Sequence, residues 1–307
     1  MLILGDEGHY HGRFPWVTTF LVLANVFCFT LQSFLGEPFT TGYSLTPAEI
    51  TECRDLKKVE YATVKLPFAK LRDRTGTHLL YSDRTFPIQH YPGPRPIFLT
   101  FLTSMFLHGD VMHLIGNMWF LLVFGRNVEC ALGHARFLAF YLMCGLMAGV
   151  AHILSDPHSV IPCLGASGAI SGVLGAYVAI HPLNKVKVWL GWWFGVVQVP
   201  ALIVIGVWFL FQYIAAMQAL ESKIHQGVAH WAHIGGFLTG LLLIWGMIAY
   251  LKYQVAQMQG EEAVDEVTAP VAEVPAAPGE HAVREALPDP FANFLPPPLP
   301  ERDKVTR

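Results

Sequence analysis

The stretch Gly165-Ala166-Ser167-Gly168-Ala169-Ile170-Ser171-Gly172 opens an apolar run that ends at Pro182. Proline stops a helix, so the run gives 15 helical residues from Ser167 to His181. At ~1.5 Å per residue that is about 22 Å, short of the ~30 Å hydrocarbon core of a bilayer. A helix of this length that reaches one membrane face begins several ångströms below the other. The segment before it, about 155–166, then descends as irregular backbone, which survives at that depth only if protein surrounds it or water reaches it. A wet pocket around Ser167 follows. About 66 residues on, a second apolar helix opens with Ala232-His233-Ile234-Gly235-Gly236. One serine and one histidine near the heads of two membrane helices are the minimum parts for acyl transfer.

The rest of the chain supports a membrane setting. Of its 307 residues, 53% are hydrophobic and 14% charged, against about 25% charged in soluble domains. Mean hydropathy is +0.42. Apolar length predicts six membrane helices, at about 16–35, 111–128, 134–155, 167–181, 194–220 and 230–251. The predicted organisation is a short N-terminus (1–15), a first span (16–35), a large outer loop (36–96), a membrane core (97–251) and a tail (252–307). The loop holds nine Lys/Arg. The tail is rich in Pro, Glu and Ala, buries too little apolar surface to fold, and reads as disordered. Residues 1–14 carry no basic start or small-residue cleavage site, so the first apolar run is expected to remain as an anchor. Five cysteines (Cys28, Cys53, Cys130, Cys144, Cys163) show no paired spacing and read as small apolar fillers.

Short-loop charge sets the orientation. Arg13, Arg126, Arg136, Lys185, Lys187 and Lys252 fall near helix ends on one side, and Lys223 lies in a short loop on the other. Both termini are therefore expected in the cytoplasm, with the protein in the cell (inner) membrane. Helices two, four and six then run in the same direction. Their heads carry His113 and Asn117, Ser167, and His233 at similar depth in the outer half of the membrane. Gly168 and Gly172, like Gly236 and Gly240, are four apart, a spacing that lets helix backbones approach closely. Helices four and six are the expected close pair.

Three motifs now stand in order: His108-Gly109-Asp110-Val111-Met112-His113-Leu114-Ile115-Gly116-Asn117, Gly165-Ala166-Ser167-Gly168, and Ala232-His233-Ile234-Gly235-Gly236 with Gly240 following. Together they resemble the rhomboid family of intramembrane serine proteases, over about 97–251. The resemblance implies an all-α polytopic membrane protein with a six-helix rhomboid-like bundle. It also implies Ser167 as nucleophile, His233 as general base, and His113 and Asn117 as binders of the oxyanion. Its implied substrates are single-span membrane proteins cut near the outer face, admitted laterally past helix five. Gly165, Gly168, Gly172, Gly236, Gly240 and His108 are expected to serve structure and packing.

Two positions depart from the family's pattern. Leu99 and Thr100 stand where a Trp-Arg pair often anchors the first loop. Ser171 stands where an aromatic often packs on the catalytic histidine, so something else must orient His233.

The chemistry also follows from the residues alone. A serine hydroxyl needs a base, and a neutral imidazole suits it. No carboxylate is near His233 in sequence, and a buried third charge is costly in a membrane, so a dyad is expected. The oxyanion needs donors already aimed at it: the Ser167 N–H, the Asn117 amide and the His113 imidazole. His108, His113, His230 and His233 lack a His-Glu-x-x-His pattern and any accompanying carboxylate, so no metal is expected. No ATP or redox motif is present, and no cofactor, nucleotide or nucleic acid is expected; the partners are the lipid bilayer and a transmembrane-helix substrate. Two other classes remain. A transporter would favour an internal repeat and ionisable residues deep in several helices. A non-catalytic member of the same fold would bind membrane helices without cutting them.

Overall fold

A computed structural model describes residues 2–6, 14–73, 76–189, 195–222 and 229–268, with side chains over most of these. Arg13, Lys223 and the tail beyond Thr268 lie outside the described residues.

The chain opens with strand β1 (Leu2–Asp6) and helix α1 (Trp16–Leu35). Two short helices, α2 (Glu37–Gly42) and α3 (Pro47–Thr51), lead into a long antiparallel hairpin, β2 (Val59–Asp73) and β3 (Gly76–Gln89). A broken helical stretch follows over Ile97–Phe106, centred on α4 (Thr100–Thr103). Next come α5 (Val111–Phe120), a π turn (Leu121–Gly125) and α6 (Arg126–Leu132), which run on as one bent rod. Gly133 ends the rod at φ +79°, and α7 (His134–Ser155) begins directly after it. Then come α8 (Ser167–Ile180), strands β4 (Lys185–Trp189) and β5 (Val196–Pro200), α9 (Ala201–Ser222) and α10 (His230–Thr268).

The protein is a mostly helical polytopic membrane protein. Among the described residues, four helices, Trp16–Leu35, His134–Ser155, Ala201–Ala219 and His230–Gln257, are long and apolar enough to cross a bilayer. The pair Ile97–Phe106 and Val111–Leu132, bent by 80°, makes a fifth when counted as one span. The expected count of six does not follow from length, because α8 has only 14 residues. Phe20, Leu23, Phe27, Phe34, Leu202, Leu210, Phe211, Leu242 and Trp245 are exposed apolar side chains on α1, α9 and α10.

Three sequence expectations need correction. The fold is not all-α, for it carries two sheets. Helix five does not begin at 194: Val196, Val197 and Val199 favour extended backbone, and they pair with β4, so the helix starts at Ala201 after Pro200. The last helix passes 251 and continues through Thr268. The three-stranded sheet, in the order β1-β4-β5, joins the N-terminus to the α8–α9 connection on one face of the bundle. Asp6 pins it there, accepting from the Tyr177 hydroxyl at 2.6 Å and the Asn127 amide at 2.5 Å.

Helix α8 is the core. Every residue from Gly168 to Tyr177 is buried. It lies against α10 so closely that a Cβ on Gly236 or Gly240 would sit 2.0 Å from the carbonyl oxygen of Gly168 or Gly172. On the α7 side, a Cβ on Gly168 would meet Ala148 at 2.6 Å and one on Gly172 would meet Cys144 at 2.4 Å. The small-residue spacing thus packs α8 on two sides.

Glu129 does a job that sequence reading missed. Buried on α6, it accepts from the Val17 N–H at 2.8 Å, the Thr18 N–H at 2.7 Å and the Thr18 hydroxyl at 2.6 Å. It therefore caps α1 from another helix, placing an anion against the positive end of the α1 dipole. An ionisable residue just past the end of the second expected span was the available signal.

The 36–96 segment is tied to the bundle without the Trp-Arg pair. Leu45 and Cys163 exchange both backbone hydrogen bonds (2.9 and 2.8 Å), and the Thr103 hydroxyl donates to the Tyr43 carbonyl at 2.7 Å. Gln32 of α1 adds a bond to the Thr40 hydroxyl at 3.1 Å. Thr100, at one of the departing positions, is buried and bonds only its own turn, to the Ile97 carbonyl.

Glu49, on α3, is 3% exposed and accepts from the Leu56 N–H at 2.9 Å. Burial, offset in part by that bond, pushes its carboxyl up to about 7 from an ordinary 4.5. A raised carboxyl favours the folded state while protonated, so this stability is present below about 4.5 and lost as pH rises through about 7. Thermal unfolding of the wild type is expected to fall relative to Glu49→Gln across that window. A difference that stays flat with pH would contradict this.

Candidate active site

Protein groups bond the backbone of the irregular stretch before α8. Ser159 and Cys163 carbonyls accept from Ala48 and Leu45, and the Gly165 N–H donates to the Ser104 carbonyl at 2.9 Å. Gly165 has φ +130°, a backbone conformation few other residues adopt. A Cβ there would also meet the His113 ring at 3.0 Å. Glycine at 165 thus lets the chain turn into α8 directly beside His113.

Ser167 is the first residue of α8, so its side chain and its free N–H stand at the positive end of that helix. Its Oγ lies 2.8 Å from Nε2 of His233 on α10. The glycine contacts make that distance possible, since Gly236, three residues past His233, allows α10 to rest on the α8 backbone.

His113 and Asn117 lie one turn apart on α5. Asp110 caps that helix, accepting from the His113 N–H at 2.9 Å. The Asn117 Nδ2 is buried, with no hydrogen-bond partner among the described residues. Ser167, His233, His113 and Asn117 all line one cavity of about 770 Å³. Its walls also carry Asp110, His152, Asp156 and Trp208. An unpartnered amide in such a wall is a donor awaiting an acceptor. His108 is buried behind His113, ring edge to face at 5.2 Å, and so backs it. Ser171 is buried and its hydroxyl donates to the Ser167 carbonyl at 2.7 Å.

The group that touches His233 instead is Gln212, on α9, whose Oε1 lies 2.8 Å from His233 Nδ1 and 2.8 Å from His230 Nδ1. Sequence reading passed it over. The signal was one amide among Phe209, Leu210, Phe211 and Tyr213, where an unpaired polar group is costly.

The family model for the Rhomboid domain matches residues 96–250. The chain belongs to the rhomboid family. Among similar rhomboids, the Rhomboid-like protein 11, chloroplastic, of Arabidopsis thaliana is 31% identical, covering 49% of this chain and 52% of that protein. Rhomboid protein 1, mitochondrial, of Saccharomyces cerevisiae is 30% identical, covering 48% and 41%. Rhomboid protease GluP of Bacillus subtilis is 33% identical, covering 46% and 25%. The match thus covers about half or less of each of these rhomboids.

Proposed function

We propose that this rhomboid is an intramembrane serine endopeptidase that cuts single-span membrane proteins near the outer face. The observation that carries the reading is the 2.8 Å approach of Ser167 Oγ to His233 Nε2 inside the cavity. The Ser167 proton passes to His233 Nε2 as Oγ bonds to the substrate carbonyl carbon, and the carbonyl electron pair moves onto oxygen. The Ser167 N–H, the Asn117 amide and the His113 ring stabilise that oxyanion. Collapse breaks the C–N bond, and the leaving amine takes the proton from Nε2. Water then attacks the ester by the same route, restoring Ser167. The termini and the β1-β4-β5 sheet face the cytoplasm, following the basic residues Arg126, Lys185 and Lys187, and α8 completes six spans by stopping short of the outer face.

The Asn117 amide is free in the resting cavity, so it contributes mainly once the oxyanion forms. Asn117→Ala is expected to lower kcat by ~10²–10³ with KM little changed. A variant that alters KM alone would remove Asn117 from that role.

The reading is tested with the full chain in proteoliposomes and a single-span substrate carrying epitope tags at both ends. Wild type is expected to release two tagged fragments and Ser167→Ala none. Binding of the substrate without fragments, alike in both, would favour a helix-binding member of the family.

A further inference from the structure

We propose that Gln212 is a positioning residue that holds His233 in the one tautomer able to take the Ser167 proton. The inference rests on the protease reading and adds to it a third member on a third helix.

A neutral imidazole carries one N–H and one lone pair. To accept from Ser167, His233 must have its lone pair on Nε2, so its proton must sit on Nδ1. Nδ1 faces Gln212 Oε1 at 2.8 Å, and an amide oxygen only accepts. The contact therefore selects the useful tautomer. Were the Gln212 NH₂ turned to the ring, it would demand a lone pair on Nδ1 and leave Nε2–H facing Ser167, a form with no basic nitrogen for the hydroxyl.

His230 keeps the amide from turning. It sits one turn before His233 on α10, and its Nδ1 also lies 2.8 Å from the same oxygen. An amide oxygen has two lone pairs, and two ring N–H groups fill both. Rotating the amide would break two hydrogen bonds together. The other neighbours of His233 cannot do this work. Trp208 offers a tilted ring at 6.0 Å and no acceptor, and Ser171 bonds back to its own helix. The titratable groups facing His233 are His230 on α10, His113 on α5 and His152 on α7. Gln212 is therefore the neutral counterpart of the acid in a catalytic triad: it fixes orientation and tautomer without placing a charge in the membrane.

The test uses the full chain in detergent, with Gln212→Leu and Gln212→Glu. Leucine removes the acceptor at similar volume. Glutamate keeps an acceptor in the same place. Gln212→Leu is expected to lose ~10²-fold in kcat with KM held, and in fluorophosphonate labelling rate at Ser167. Gln212→Glu is expected to keep most of kcat and to move the acid limb of its pH–rate profile upward, because an anion beside Nδ1 favours the imidazolium. Wild-type kcat and pH profile in Gln212→Leu would overturn the inference, as would equal losses in both variants. Absence of labelling in the wild type would instead overturn the protease reading on which it rests.

Discussion

His233→Ala is expected to abolish cleavage as fully as Ser167→Ala, each losing ~10⁴–10⁶ in kcat, and the double variant to be no worse than either single one. The two side chains form a unit through one 2.8 Å contact. A serine without its base is a poor nucleophile, and a base without its serine has nothing to activate. Losses that added in the double variant would mean that the two residues act separately. The residual rate would come from the oxyanion donors, which neither substitution removes. Initial rates on one tagged substrate, with folding checked by thermal unfolding, make this a complete double-mutant cycle.

Gly236→Ala is expected to reduce both stability and activity, and pairing it with Gly240→Ala to leave little of either. Glycine to alanine inside a helix ordinarily gains up to ~1 kcal/mol from propensity, so the sign is itself a test. Here the added carbon would sit 2.0 Å from a backbone oxygen of α8 at each position. Backbone cannot rotate away as a side chain can, so α10 must move outward. Overpacking of this kind costs ~1–3 kcal/mol or more. The same movement carries His233 from Ser167, and a displacement of ~1 Å at a reacting pair costs ~10²-fold in rate. Thermal unfolding and cleavage should fall together. A stable Gly236→Ala protein with wild-type turnover would contradict the close-packed account of α8 and α10.

How much of this was legible in sequence depended on whether a feature is local. The length of α8 was fixed by Ser167 at one end and Pro182 at the other, and its shortness implied the descending segment and the cavity. The glycine pairs marked the α8–α10 contact because small residues four apart describe a single face. Other features depend on which distant surfaces meet. Val196–Pro200 reads as the start of an apolar helix until β4 supplies an edge to pair with. Glu129 follows Arg126 and Asn127 just past an apolar run, and Gln212 stands among Phe209, Leu210, Phe211 and Tyr213. Sequence can flag such a residue as needing a partner, but only the packing of α6 against α1, and of α9 against α10, names it. The departing Ser171 likewise told that His233 lacked its usual ring, without telling what replaced it.

The proposed function makes the Ser167 hydroxyl a nucleophile activated by His233. Its most direct test is mass spectrometry of the intact wild-type protein after a fluorophosphonate probe, with the adduct mapped to its residue. A single adduct on Ser167 is expected, lost in His233→Ala although that variant keeps the serine. An unmodified wild type, or an adduct that persists at full rate without His233, would contradict it.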